Sequence, residues 1–296
     1  MKIGAVINNS SGTLKSKEAK DCLKLIKKNL KNRVTEGCLS VVDGSEVEQE
    51  VKRILSMDIE LLVIGGGDGT VSTGARHVAN TDIPLLVLAL GTKNNFARDA
   101  GIPKNPENAI PLLDKLRINK IDVGEVNGHI FINNATIGLY PYIVREREEK
   151  TDRHGWSKWR AKISALMIVL KRLPLMRMTI ETKEFRINLF TPFLFLGNNE
   201  YENITASDVN RPCLDKGRLW LCNAHSPRFW SLLKMAWQLN FSSIKETENL
   251  TTHLLTEVQV KPRKRNVTVA IDGENIKLKA PLYFRIRKKV LRVVVP

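Results

Sequence analysis

The sequence predicts an α/β protein in which a parallel-sheet domain is followed by a mainly antiparallel β domain. Up to about residue 120, short apolar runs alternate with amphipathic helical patterns, which is typical of a parallel sheet. From Ile121 onward, short alternating strands follow one another, many of them separated by turn residues. A helical pattern at 156–173 interrupts these strands. We therefore expect domains at 1–120 and 121–289, and a final strand at 290–296 that closes on one of the two sheets, the N-terminal sheet being a candidate.

Strands at 2–7, 34–42, 61–64 and 84–90 are predicted for the first domain. Capping residues indicate where its helices begin. They are Ser16, the capping box Ser45-x-x-Glu48, Thr70 before a helix at 71–78, and Asn105 with Pro106 at the first helical position.

Three polar loops follow strands of this domain, at Asn8–Gly12, Gly65–Thr70 and Gly91–Asn95. Ligands bind such sheets outside the carboxyl ends of the strands, so these loops predict one composite nucleotide pocket. The glycines of the second loop allow close approach of backbone N–H groups to an anion. Asp68 lies in that loop, and a divalent cation would bridge its carboxylate to a phosphate. The alternative is an ordinary strand-to-helix turn, because neither a Walker A pattern nor Rossmann spacing is present.

Basic charge is concentrated in the second half of the chain. The first 120 residues hold 18 Lys and Arg against 14 Asp and Glu, whereas residues 121–296 hold 29 against 17. An anionic partner such as nucleic acid or acidic lipid is therefore expected to meet the second half. The four cysteines form no CxxC pair, which favours reduced thiols over a metal site or disulfides. We expect neither a signal peptide nor a bilayer-spanning segment.

The helical pattern at 156–173 carries an apolar stripe with Trp156 and Trp159, ends at Pro174, and has basic residues on its flanks. Such a helix can lie on an anionic membrane surface. Packing of the stripe against the β domain is at least as good an interpretation.

Five motifs in order resemble the diacylglycerol kinase catalytic-domain family, in its bacterial soluble lipid-kinase branch. These are Asn8-Asn9-Ser10-Ser11-Gly12, Gly66-Gly67-Asp68-Gly69-Thr70, Gly91 to Arg98, Ile121-Asp122-Val123-Gly124 with Phe131-Ile132-Asn133, and Asp272-Gly273-Glu274. The resemblance implies an N-terminal domain like those of NAD kinases and phosphofructokinases, and a β-sandwich behind it. It also implies that ATP and Mg²⁺ bind in the cleft between the domains, and that the acceptor is a lipid hydroxyl.

The resemblance also assigns residues. Glu274 is the candidate general base, and Asp68 is either a ligand of the catalytic Mg²⁺ or the group on the reacting hydroxyl. Asp122 would support a metal–water network. The nucleotide-binding set is Asn8, Ser11, Gly66, Gly67, Asp68, Gly69, Thr70, Thr92 and Asn94. Without the resemblance, Asp272-Gly273 predicts a hairpin turn, Asp122 an Asx turn and Asn94 a helix cap.

Some positions depart from the family pattern. Lys216 replaces the second Asp of a Leu-Asp-Asp-Gly motif that ligates a structural Mg²⁺ in several bacterial relatives, and an ammonium group does not coordinate a metal. A structural metal site is therefore doubtful in this chain. The Gly-rich run expected near the acceptor reads Tyr201 to Ser207 instead.

The sequence hypothesis is an ATP-dependent lipid kinase that is cytoplasmic and peripherally membrane-associated. Its expected partners are a membrane lipid substrate and an anionic membrane surface, with no nucleic acid; a homodimer is a further candidate. The alternatives are a soluble-metabolite kinase of the NAD kinase type and a non-catalytic nucleotide- or lipid-binding regulator. The sequence does not name the lipid.

Overall fold

The computed structural model describes residues 1–12, 19–138, 175–204, 209–224 and 250–296. The predicted amphipathic helix at 156–173 and the predicted Ser16 cap lie outside the described residues. The chain divides into two compact units. Unit 1 comprises Met1–Val123, Cys213–Gly217 and Arg287–Pro296, and unit 2 comprises Gly124–Pro212 and Arg218–Ile286. Unit 1 therefore contains two segments distant in sequence: Cys213–Gly217, which lies inside the expected second domain, and Arg287–Pro296, which overlaps the final strand expected at 290–296.

Unit 1 is an α/β unit in which strands and helices alternate. Its elements are β1 (Ile3–Asn8), α1 (Ala19–Lys31), β2 (Leu39–Val42), α2 (Val47–Leu55), β3 (Leu61–Gly66), α3 (Asp68–Val78), β4 (Leu85–Ala89), α4 (Asn95–Asp99), α5 (Pro106–Ala109) and α6 (Leu112–Lys115). β5 (Arg117–Val126) leads out of this unit.

The strands of unit 1 form a parallel sheet in the order β2-β1-β3-β4, which confirms the predicted parallel sheet. The last strand, β18 (Leu282–Val295), joins β4 in parallel through the pair Val293 and Leu85. β1, β3 and β4 are wholly buried because helices cover them, and this explains their nearly continuous apolar sequences.

Two helices of unit 1 begin differently from the sequence prediction. The N-cap of α2 is Glu46, with no side-chain cap, so the Ser45-x-x-Glu48 capping box is wrong; Glu48 instead pairs with Lys52 at 2.7 Å. α3 begins at Asp68 with Gly67 as its N-cap, so Thr70 is not the cap. The helix begins almost directly after β3, which leaves Thr70 inside its first turn. The Asn105–Pro106 start is confirmed, since the Asn105 side chain accepts the Glu107 N–H.

Unit 2 is built from antiparallel strands. The strands are β6 (His129–Phe131), β7 (Asn134–Gly138), β8 (Met176–Glu181), β9 (Arg186–Thr191), β10 (Phe193–Asn198), β11 (Asn203–Ile204), β12 (Val209–Asn210), β13 (Leu219–Ala224), β14 (Leu250–Leu255), β15 (Glu257–Pro262), β16 (Asn266–Ile271) and β17 (Glu274–Lys279). One sheet has the order β14-β13-β10-β7-β16-β17. In the other, β15 lies between β8 and the first part of β18, and β9 pairs with β8.

The core of unit 2 contains apolar side chains from both sheets, including Leu194, Leu221 and Val269 from the first and Ile180, Val260 and Phe284 from the second. This arrangement is the predicted β-sandwich. The sequence predicted strands here at 121–126, 130–133, 178–182, 186–190, 193–197, 218–222, 257–261, 267–271 and 283–286. β7, β11, β12, β14 and β17 were not predicted. No helix in the described part of the chain is long and apolar enough to cross a membrane.

Candidate functional site

The three polar loops of unit 1 lie at the same edge of its parallel sheet. The register pairs Ile7 with Gly65 and Gly66 with Ala89, so β1, β3 and β4 end nearly level with one another. The predicted convergence of these loops follows from this register.

Asn8 connects the first loop to helix α3. Its Nδ2 atom donates a hydrogen bond to the Thr70 hydroxyl at 2.8 Å, and both side chains are buried. The Asn8 Oδ1 atom accepts hydrogen bonds from the Ser10 N–H at 3.0 Å and the Ser10 hydroxyl at 2.7 Å. Asn8 and Thr70 therefore hold two of the predicted loops together through their side chains.

Gly67 and Gly91 bring the second and third loops together at the level of the backbone. A Cβ atom at Gly91 would lie 2.5 Å from the Gly67 Cα atom, so only glycine fits at position 91 without a shift of the backbone. The N-cap of α3 is Gly67, which has no side chain to cap the helix. The dipole of the helix favours an anion at this N-terminus.

Ser11 provides a buried polar atom that fits a bound ligand. The residue is 7% exposed, and its hydroxyl has no hydrogen-bond partner among the described residues. Gly12 packs on the third loop, because a Cβ atom there would lie 2.6 Å from the Thr92 hydroxyl. Buried hydroxyl groups are rarely left unsatisfied, so the residues at this edge fit a ligand that carries oxygen atoms, such as a nucleotide phosphate.

Asp68 is half-buried, and its Oδ1 atom accepts the Phe96 N–H at 3.2 Å, at the start of α4. The carboxylate therefore links α3 to α4. Arg98 pairs with Asp99 at 2.9 Å, so the guanidinium of this motif residue already has a carboxylate partner.

Asn94 shapes the third loop from within. It has a positive φ of 51°, and its side chain accepts the Gly91 N–H at 2.8 Å and donates to the Gly91 carbonyl at 2.7 Å. Thr92 and Lys93 are exposed in the same loop. Lys93 was missed by the sequence analysis, although a cation next to a predicted phosphate site is a recognisable signal.

Asp122 is fully buried in unit 1. Its two carboxylate oxygens accept backbone N–H groups, from Gly217 at 2.6 Å and from Lys289 at 2.8 Å. Asp122 thereby connects β5 to the segment 213–217 and to β18. Lys216 is exposed next to this connection. Among the described residues, no group of three or more His, Cys, Asp and Glu side chains could hold a metal ion.

Glu274 belongs to unit 2, where it is the first residue of β17 and is exposed. The preceding residues Asp272 and Gly273 have φ values of 47° and 93° and form the tight turn between β16 and β17. The Asp272 carboxylate also accepts the N–H groups of Ile132, Asn133 and Asn134 at 2.8–3.1 Å. The backbone that carries Glu274 is therefore fixed from two directions.

Arg211 is a buried cation that the sequence analysis missed. It is 1% exposed and donates to the Ile132 carbonyl at 2.6 Å, the Asn133 Oδ1 atom at 2.8 Å and the Asn198 carbonyl at 3.2 Å. Arg211 thus holds the same segment that holds Asp272. Its sequence context, Asn210-Arg211-Pro212, gives no indication of burial.

The first part of the chain matches known sequences. Residues 2–126 match the model of the diacylglycerol kinase catalytic domain. Over 109 residues the chain is 39% identical to a "probable lipid kinase YegS-like" protein of Pseudomonas fluorescens and 43% identical to one of Pseudomonas aeruginosa. Each match covers 36% of this chain and 36% of the relative, so only about a third of each curated relative is matched.

The fold matches over the whole chain. A crystal structure of a diacylglycerol kinase from Bacillus anthracis has a TM-score of 0.70 at 17% identity, with 100% of this chain and 97% of that chain covered. The structure of yeast NADH kinase complexed with NADH has a TM-score of 0.57 at 12% identity, with 100% and 84% covered. At these identities the structures show the fold alone. The resemblance noted in the sequence is therefore confirmed: residues 2–126 match the model of the diacylglycerol kinase catalytic domain, and the fold of the chain is similar to those of a diacylglycerol kinase and of NADH kinase.

Proposed function

We propose that this protein is an ATP-dependent lipid kinase that transfers the γ-phosphate of ATP to a lipid hydroxyl at a membrane surface. The observation that carries the proposal is the set of three joined loops, with a buried Ser11 hydroxyl that lacks a partner among the described residues, in the segment that matches the family. The ligand that these three loops accommodate best is an anion that carries several oxygen atoms.

Phosphoryl transfer requires that the phosphates be held, that charge be neutralised, and that the acceptor hydroxyl be oriented and deprotonated. ATP supplies the phosphoryl group, and Mg²⁺, for which Asp68 is the candidate ligand, would neutralise charge. In this proposal the α3 N-terminus, the Ser11 and Thr92 hydroxyls and the Lys93 ammonium hold phosphate oxygens. Glu274 takes the proton of the lipid hydroxyl as general base. Asp122 stays a candidate support for a metal–water network.

The test is transfer of labelled γ-phosphate to a panel of lipids in mixed micelles. Asp68→Asn is the informative variant, because an amide oxygen can still accept the Phe96 N–H while the charge is lost. We expect transfer to fall on the order of a hundredfold or more with little change in the melting temperature. Asp21→Ala, at an exposed carboxylate on α1, is the control and should retain activity.

The same assay distinguishes the two chemical roles of Asp68. If Asp68 is a metal ligand, Asp68→Asn raises the Mg²⁺ concentration needed for half-maximal activity. If it is the base, kcat falls with no change in that concentration. Glu274→Gln is expected to lower kcat by about 10²–10⁴-fold with little effect on the KM for ATP. Full activity in both variants would refute the site assignment.

Two other functions are outcomes of this assay. Phosphorylation of a soluble acceptor such as NAD, with no lipid present, would identify a soluble-metabolite kinase. Binding of ATP without turnover over the whole lipid panel would identify a non-catalytic regulator.

A further inference from the structure

A row of basic and aromatic side chains crosses one sheet of unit 2. Arg177 on β8 pairs with Phe190 on β9. On the opposite side of β8, the Arg263 N–H donates to the Arg177 carbonyl at 3.1 Å, so Arg263 also neighbours Arg177. Lys261 lies one row away, opposite Thr179. All four side chains are exposed, and they line an open groove of about 390 Å³. We call Arg177, Phe190, Lys261 and Arg263 the basic face.

On this side of β8, the acidic residue lies at the opposite end of the strand from Arg177. Glu181 lies at the far end of β8, where it pairs with Lys261 and faces Arg186 on β9. No carboxylate among the described residues forms an ion pair with Arg177 or Arg263. Like charges on neighbouring strands are destabilising, so two adjacent guanidinium groups favour an external anion.

Phe190 adds apolar surface next to these charges. It is 43% exposed, and the Arg177 guanidinium carbon lies 5.5 Å from the centre of its ring. The neighbouring side chains Met178 and Leu189 point to the other side of the sheet and pack in the core of unit 2. The sheet therefore has a packed core on its other side, and Phe190 is exposed on the side that faces away from this core.

An anionic bilayer is the partner that this combination fits best. A soluble phosphate would be held here only by exposed cations, and such contacts are weak in water. At an anionic membrane, each Lys or Arg near the surface adds to the attraction, and an aromatic ring at the boundary adds apolar contact.

We propose that the basic face docks on anionic phospholipid headgroups, with Arg177 and Arg263 against phosphate oxygens and Phe190 towards the acyl chains. The proposal deepens the proposed function and rests on it in one respect, since a lipid kinase must meet its acceptor at a membrane. Docking itself is measurable without ATP, so failure of docking and failure of phosphoryl transfer are separate results.

The experiment is co-sedimentation of the full chain with vesicles of phosphatidylcholine, with and without phosphatidylglycerol. Wild-type protein is expected to bind only the anionic vesicles. Arg177→Ala and Arg263→Ala should each weaken binding about fivefold, and the double variant on the order of twentyfold. Phe190→Ser should reduce the binding that persists at high salt, where the charges are screened.

Arg186→Ala is the matched control, because it removes the same charge from an exposed position on the same hairpin, next to Glu181. An equal loss of binding in Arg186→Ala would show general electrostatic attraction and would overturn the assignment of this face. Wild-type binding by the double variant, or displacement of the protein from vesicles by inorganic phosphate at constant ionic strength, would also overturn it.

Kinase activity of the double variant on a short-chain lipid in detergent micelles should equal that of the wild type, which separates docking from catalysis.

Discussion

Arg211 shows how a single buried cation can stabilise a neighbouring segment. Its guanidinium satisfies two carbonyls and one amide oxygen at 132–133 and 198, and it lies over the Tyr201 ring at 5.5 Å. Removal of a buried donor costs about 1–3 kcal/mol for each acceptor that is left unsatisfied, although the Ile132 carbonyl keeps a hydrogen bond from Asn198 Nδ2 at 3.0 Å. We expect Arg211→Met to lower the free energy of unfolding by about 2–4 kcal/mol, and Arg211→Lys to lower it by less. Urea denaturation measures both, and Arg218→Met, at an exposed position, is the control. Wild-type stability of Arg211→Met would show that the contacts do not stabilise the fold.

His77 on α3 should make stability depend on pH. Burial is the main cause that lowers its pKa, with Lys52 and Arg76 acting in the same direction and Glu48 opposing them. Because the pKa of His77 in the folded state lies below its pKa in the unfolded chain, the unfolded state binds more protons at pH values between the two pKa values. The neutral form therefore stabilises the fold above about pH 6.5, and this stability is lost as the pH falls through the lowered pKa. The slope of unfolding free energy between about pH 7 and pH 5 should be smaller in His77→Gln. An unchanged slope would assign the effect to other groups.

At the scale of elements, the contact between the Gly67 and Gly91 loops is a strict geometric requirement. A Cβ atom at position 91 would overlap the Gly67 backbone, so Gly91→Ala must separate the two loops. We expect this variant to lose ATP binding at least tenfold and about 1–3 kcal/mol of stability. Gly101→Ala is the control, because Gly101 has a φ of 71° and open space around it. That variant should lose about 1 kcal/mol and retain ATP binding, as measured by calorimetry. Equal ATP affinity in both variants would contradict the proposed site.

The elements that the sequence predicted are those whose signals are local. Wholly apolar runs marked β1, β3 and β4, and the order of strands and helices implied the parallel sheet. β14 was missed because most of its side chains are only half-buried or exposed, and hydrogen bonding to β13 makes it a strand. β17 pairs with β16 and carries one short alternation, Ile276 and Leu278, both of which pack in the core of unit 2. Both capping errors misplace the N-cap, which is Glu46 and not Ser45 for α2, and Gly67 and not Thr70 for α3.

Some residues of the candidate site could likewise be predicted from local signals, and others could not. Asn8, Thr70 and the glycines were found from loop chemistry at strand ends. The structural roles of Asp68 and Asp122 were not, because each depends on a backbone N–H from a segment distant in sequence: Phe96 for Asp68, and Gly217 and Lys289 for Asp122. Local sequence patterns do not reveal which distant backbone N–H group a carboxylate will accept.

At the scale of the whole molecule, unit 1 depends on chain segments from both ends of the sequence. Leu291, Val293 and Val294 of β18 are fully buried in it, and β18 covers the edge of β4. The buried Asp122 carboxylate accepts the backbone N–H groups of Gly217 and Lys289 in this unit. A fragment ending at Val123 would lose these contacts and expose an apolar sheet edge, which favours aggregation.

We therefore expect the fragment Met1–Val123 to lack cooperative unfolding and ATP binding, although it contains nearly all of the family match. Circular dichroism during heating and calorimetry with ATP and Mg²⁺ test this against the full chain. Attachment of residues 287–296 through a flexible linker should partly restore the cooperative transition, because it returns the strand next to β4 and the Lys289 amide to Asp122. A fragment that unfolds cooperatively and binds ATP as tightly as the full chain would show that the first 123 residues form an independent domain, and that β18 and the segment 213–217 are accessory to it.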